Sequence, residues 1–221
     1  EKGKFLVEQL LAGKNIALVT DAGTPAISDP GEELVRMAYE AGIEVTSLPG
    51  PCALITGLTL SGLSTKRFSF EAFLPTDKKE RQRIVNEIIN DSRTIILYEA
   101  PHRLRKTLKE LYEALGDRTL AVIKELTKIH ETVLRTSISE AIEIFEKEEP
   151  KGEYILVIEG KSQEEIEKDK QSQWGEKTIA EHMKMYTDKG FDKKEAMKMV
   201  AKDRGISKRD VYKAVMDENA Y

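Results

Sequence analysis

The chain has a single cysteine, Cys52, among 221 residues. No disulfide within the chain and no cysteine metal cluster can form from it. Histidine is scarce too, three residues in all, and no two stand at metal-ligand spacing, so no metal is expected. No stretch approaches the roughly 20 apolar residues of a membrane span, and no apolar leader stands out. Aromatic residues make up 6%, with one tryptophan, against 40% hydrophobic and 33% charged residues. That balance suits a globular protein with a highly charged surface. A cytoplasmic location and no membrane partner are the simplest expectations.

The formal net charge of −4 disfavours a nucleic-acid partner only if charge is evenly spread. It is not. From Lys66 to Lys109 there are eleven Lys/Arg against six Asp/Glu, and Lys177 to Lys213 has the same ratio. Between them, Glu143 to Asp169 is strongly acidic. Two basic regions flanking an acidic one can form an electrostatic footprint for RNA, or can simply be solvated helix faces.

Short β-rich runs alternate with amphipathic ones. The spacing predicts buried strands over 16–20, 45–48, 94–98, 120–123 and 154–158, each apolar on both faces. Phe5, Leu6, Gln9 and Leu10 mark an opening helix. Leu34, Val35, Ala38 and Tyr39 mark another, which Gly42 stops. Pro101 opens a third, whose Leu104, Leu108, Leu111 and Leu115 form one stripe ending at Gly116. Strands alternating with helices predict an α/β sheet with much parallel pairing. After Gly160 the apolar period is lost, and residues 161–176 are expected to form a linker. Three short helices follow, from near Ile179 to Gly190, Asp192 to Gly205 and from Ser207 onward, the last two with capping-box spacing. Such a module has little core of its own.

Four loops gather the chemistry. The first, Thr20-Asp21-Ala22-Gly23-Thr24-Pro25-Ala26-Ile27-Ser28-Asp29-Pro30-Gly31, follows an expected strand, at the edge where open α/β sheets bind ligands. Its small residues admit a ligand to the backbone, although a tight turn has the same composition. It lacks the Gly-Lys-Ser/Thr ending of a P-loop. The second, Leu48-Pro49-Gly50-Pro51-Cys52-Ala53, by itself reads first as a rigid turn. The third and fourth, Tyr98-Glu99-Ala100-Pro101-His102-Arg103 and Lys124-Glu125-Leu126-Thr127-Lys128-Ile129-His130-Glu131, put charged groups at strand ends. Charges there suggest a site, or simple ion pairing.

Together with Phe73-Leu74-Pro75, these motifs resemble the ribosomal RNA small subunit methyltransferase I family from about Gly13 to Gly160. Its members are 16S rRNA cytidine-2′-O-methyltransferases within the tetrapyrrole-methylase fold class. The resemblance implies two α/β subdomains with an S-adenosyl-L-methionine cleft between them, plus a C-terminal helical extension. The expected division is 1–75, 76–160, a linker at 161–176 and a helical module at 177–221. The family's opening strand, with its Pro-Ile-Gly-Asn-Leu loop and Glu-Asp-Thr-Arg segment, has no counterpart here, so the chain is expected to start inside the first subdomain.

By that resemblance Ala22, Gly23, Thr24, Ile27, Cys52 and Ala53 line the cofactor pocket, with Glu99, Leu126 and Gly152 from later segments. Asp21 is expected at its rim. A ribose hydroxyl needs a base or a cation to stabilise a developing alkoxide. Glu99, Glu125 and His102 are candidate bases, and Lys124, Arg103 and Lys128 candidate stabilisers. Arg103, Lys128, Lys194, Lys198, Lys208 and Arg209 are expected to hold RNA, with 16S rRNA or the small ribosomal subunit as partner and a homodimer as assembly. A small-molecule methyltransferase of the same fold and a non-catalytic RNA-binding protein remain as alternatives.

Overall fold

The computed structural model describes residues 1–175 and 177–218. The chain divides into two compact units, Glu1–Gly160 and the residues from Lys161 onward.

The first unit opens with helices α1 (Lys2–Leu11), α2 (Glu32–Glu40) and α3 (Ala53–Ser61). Then follow β1 (Phe68–Phe73), α4 (Lys78–Ile88), β2 (Thr94–Glu99), α5 (Pro101–Leu115) and β3 (Thr119–Lys124). It closes with β4 (Thr132–Ser137), α6 (Ile138–Lys147) and β5 (Tyr154–Ile158). The strands form one sheet in the order β1-β2-β5-β3-β4. Alternate residues of each strand face opposite sides. Ile95, Leu97, Leu120, Val122, Leu156 and Ile158 meet α4, α5 and α6 on one side. On the other, Ile96, Ala121, Ile123, Ile155 and Val157 meet Leu54 and Leu58 of α3.

Two expectations are corrected. Only β1 and β2 pair in parallel; β2–β5, β5–β3 and β3–β4 are antiparallel. The chain reverses through 125–131 and sends β5 back between β2 and β3. Parallel pairing is expected where each strand is followed by a helix, but β3 and β4 are joined by a turn with no helix between them, and β5 returns between β2 and β3. Second, 16–20 and 45–48 are not buried strands. Among the described residues neither joins a ladder, and Ile16, Leu18, Val19 and Leu48 are exposed, Val19 by 80% and Leu48 by 84%. An apolar run specifies a strand only where another backbone supplies its hydrogen bonds.

In the second unit the expected linker holds a helix, α7 (Gln163–Ser172), started by a Ser162–Glu165 capping box. Helices α8 (Ile179–Thr187), α9 (Lys193–Arg204) and α10 (Lys208–Glu218) follow the spacing expected of them. Met183, Ala196, Val200, Ala201 and Val211 form a small core. Beside it His182, fully buried, stacks on Trp174 with ring centres 3.7 Å apart. Arg204 Nε donates to His182 Nδ1 at 3.2 Å, which requires the neutral imidazole with its proton on Nε2.

Burial, and then the Arg204 charge, hold the His182 pKa below its ordinary 6.5. A depressed histidine pKa means the unfolded chain takes up a proton before the native one does. The stability of this unit is therefore fully present above about pH 6.5 and is lost as pH falls toward the native value. We expect its thermal midpoint, followed by fluorescence of the single tryptophan, to drop between pH 7.5 and 5.5, with His182→Gln flattening that dependence.

Candidate active site

The loop 21–31 and the segment 49–53 meet backbone to backbone. Thr24 Oγ1 donates to the Pro51 carbonyl at 3.0 Å. A Cβ on Gly23, whose φ is +77°, would sit 3.2 Å from that same carbonyl oxygen, and one on Gly50 would sit 3.3 Å from Thr24 Oγ1. At Gly23 the positive φ and the close carbonyl both favour glycine, whereas at Gly50 a side chain would meet only a tight contact. Ala22, Gly23, Ile27 and Ala53 are exposed, while Thr24 and Cys52 are half-buried. Cys52 is the N-cap of α3 and supplies no side-chain cap, which leaves the helix's first amides to other partners.

One of those partners belongs to the third motif but carries no expected role of its own. Tyr98, on β2, takes a backbone hydrogen bond from Leu54, and burial chiefly, with the nearby Cys52 and Asp29, raises its pKa to about 12. It stays a neutral phenol. Cys52, Tyr98 and Leu126 all pack on the α3 side of the sheet.

Strand alternation separates the other candidates from this cluster. Glu99 pairs across the sheet with Tyr154, and Tyr154 with Lys124, so the three share one face. That face is the one under α4, α5 and α6, since Tyr154 belongs to its core. Glu99 is 1% exposed. Its Oε1 accepts from the Ala100 amide at 2.9 Å and lies 3.4 Å from Arg103 Nε, while Oε2 accepts from Thr107 Oγ1 at 2.5 Å. Thr107 in turn accepts from Arg81, which pairs with Glu110 at 2.6 Å. Glu99 is thus a buried carboxylate with three donors around it, on the face opposite Cys52 and Tyr98. Lys124 lies on the same face as Glu99.

Glu125 is more open but also committed. Its Oε1 accepts from the Glu153 amide at 2.8 Å and pairs with Lys128 at 3.1 Å. The Glu153 amide, then Lys128, hold its carboxyl below the usual range, the wrong direction for a general base near neutrality. Gly152 underlies this knot, for a Cβ there would lie 2.5 Å from Glu125 Oε1. Lys128 also pairs with Glu153 at 2.7 Å. Arg103 bonds Glu99 and the Leu74 carbonyl and is half-exposed. Lys194, Lys198, Lys208, Arg209 and His102 are exposed. Among the described residues no group of three His, Cys, Asp or Glu could hold a metal, and no helix is long and apolar enough to cross a membrane.

Comparison with known proteins fits this arrangement. The family model of tetrapyrrole (corrin/porphyrin) methylases matches residues 1–142. Ribosomal RNA small subunit methyltransferase I of Bacillus subtilis (strain 168) is 46% identical over 213 residues, covering 96% of this chain and 72% of that protein. This chain belongs to the ribosomal RNA small subunit methyltransferase I family. The Synechocystis member (strain ATCC 27184 / PCC 6803 / Kazusa) is 43% identical over 216 residues, with 97% and 76% covered. The crystal structure of the methyltransferase CobJ aligns with a TM-score of 0.55 at 14% identity over 72% of this chain and 70% of that one. At that identity the match shows the fold, an α/β tetrapyrrole-methylase architecture.

Glu99→Ala leaves Thr107, the Ala100 amide and Arg103 without their acceptor, and should lower stability by about 2–4 kcal/mol. Glu99→Gln, which retains an acceptor, should cost less than half of that. Calorimetric unfolding of both variants checks the order; equal losses would argue against the hydrogen-bonded role.

Proposed function

We propose that this chain is an S-adenosyl-L-methionine-dependent methyltransferase that modifies a cytidine ribose 2′-hydroxyl of 16S rRNA. The observation that carries the reading is the glycine-lined junction of 21–31 with 49–53 beside Tyr98 and Leu126, in a chain 46% identical to a named RNA methyltransferase. Ala22, Gly23, Thr24, Ile27, Cys52, Ala53 and Leu126 would hold the cofactor. When bound, it supplies an electrophilic methyl group on a sulfonium. Gly23 lets the two loops approach closely, and the positive end of the α3 dipole favours the cofactor's carboxylate.

Transfer from a sulfonium is an in-line displacement, so alignment and exclusion of water supply much of the rate. That agrees with a site whose carboxylates are engaged elsewhere. RNA would be held through its phosphates by the exposed Lys194, Lys198, Lys208 and Arg209 of the second unit, with Lys128 contributing from the first. A homodimer, the small ribosomal subunit as partner and a cytoplasmic location belong to the same reading.

Titration with S-adenosylhomocysteine tests the pocket. We expect binding by the chain, and loss of at least about tenfold in Gly23→Ala, where a methyl group meets both the Pro51 carbonyl and a disfavoured φ. No binding by the parent would remove the cofactor assignment.

The RNA surface is tested separately by replacing Lys194, Lys198, Lys208 and Arg209 together with alanine. Affinity for small-subunit RNA should fall and its salt dependence flatten, since fewer counterions are released. S-adenosylhomocysteine affinity should not move.

A further inference from the structure

Strand β1 changes register beside the candidate site. Phe68, Ser69 and Phe70 face Thr94, Ile95 and Ile96 in turn, but the next matched pair is Phe73 with Tyr98. Three steps on β1 thus answer two on β2, which is a bulge. Ala72 lies within it at φ 50°, a left-handed conformation that a residue with a Cβ adopts only at a cost.

The bulge has a stereochemical consequence. In a regular strand Phe70 and Phe73, an odd number of residues apart, would point to opposite faces. Here both rings meet Tyr98 edge-on, Phe70 at 4.9 Å and Phe73 at 5.6 Å between centres. Phe70 is half-buried on the α3 side of the sheet. Phe73 is 48% exposed. The next residue, Leu74, is buried to 1%, and its carbonyl is gripped by the Arg103 guanidinium. The backbone on that side is therefore fixed, and the ring is held at its edge by Tyr98, itself tied to Leu54 and close to Cys52 and Asp29.

A strained bulge that delivers an exposed aromatic ring to the mouth of a candidate site adds nothing to the core. Strain retained beside a site points to use there. On the methyltransferase reading, the target nucleotide must leave its stack for its ribose to reach the methyl donor, and unstacked bases are commonly received on aromatic rings. We propose that Phe73 is the stacking platform for the nucleobase of the target nucleotide, and that Tyr98 and the β1 bulge position it.

The full chain carrying Phe73→Ala, Phe73→Leu or Phe73→Trp tests this. Three readouts are needed: affinity for single-stranded small-subunit RNA, methyl transfer to unmodified small ribosomal subunits, and S-adenosylhomocysteine binding. Alanine and leucine should each lower RNA affinity and transfer by about tenfold to a hundredfold, while tryptophan retains both within about threefold. Cofactor affinity should stay unchanged throughout. RNA should also quench the added tryptophan of Phe73→Trp beyond any change that Trp174 gives in the parent chain.

Full RNA affinity in Phe73→Leu, or no added quenching in Phe73→Trp, would overturn the proposal. So would a fall in cofactor affinity in the leucine variant, which would give the ring to the cofactor's adenine instead. Failure of the parent chain to bind S-adenosylhomocysteine would sink the methyltransferase reading itself, and is told apart because it needs no substitution.

Discussion

The two-residue period of a β-strand governs what this sheet edge can do. Adjacent residues at the end of β2 go opposite ways: Tyr98 toward α3 and the glycine-lined loops, Glu99 into the core beneath α5. On β3, Ile123 and Lys124 divide in the same manner. No side-chain rotamer carries Glu99 across the sheet, because the backbone ladder with β5 fixes both neighbours at once. The chemical character of the site follows from that parity. The α3 side of this edge presents Cys52, Tyr98 and Leu126, while Glu99 and Glu125 hold a helix and a turn in place.

The buried charges fit this division. Glu99, Thr107, Arg81 and Glu110 form a connected set joining the end of β2 to α4 and α5. A buried carboxylate or guanidinium without partners would be strongly destabilising, whereas a fully bonded set fixes how these elements meet. Arg103 extends the set to the Leu74 carbonyl, and so to the strand end that carries Phe73. The polar network on one face of the sheet thereby holds the backbone from which an aromatic ring projects on the other.

Much of this was legible in the residues, and the rest was hidden for identifiable reasons. β2, β3 and β5 were plain because fully buried strands are continuous apolar runs. That same continuity concealed their direction, which depends on connections and not on composition. β1 and β4 escaped notice because each lies at an edge of the sheet and alternates poorly, with Glu71 and Arg135 among their residues. Residues 16–20 and 45–48 have strand composition, yet a ladder needs a second backbone, and sequence composition does not reveal whether one is there. Helix α7 has almost no apolar face, but Ser162 and Glu165 are a capping pair that the apolar period could not register.

The candidate site was half legible for a related reason. Loop motifs such as 21–31 and 49–53 are local, and their glycines carry their own explanation once a close approach is found. Charged residues at strand ends are different, because their role depends on parity and on what the neighbouring helix offers. Glu99 looked catalytic since an ionisable group near a ligand edge usually is. What distinguishes it from a base is the presence of Thr107 eight residues on, two turns along α5, together with Arg103 and the Ala100 amide. Each of those partners is local in sequence. A carboxylate that directly precedes a helix, with a hydroxyl and an arginine on that helix's inner turns, is therefore better read as an anchor of the helix than as a reagent. The aromatic neighbour that points the other way is the better candidate for contact with substrate.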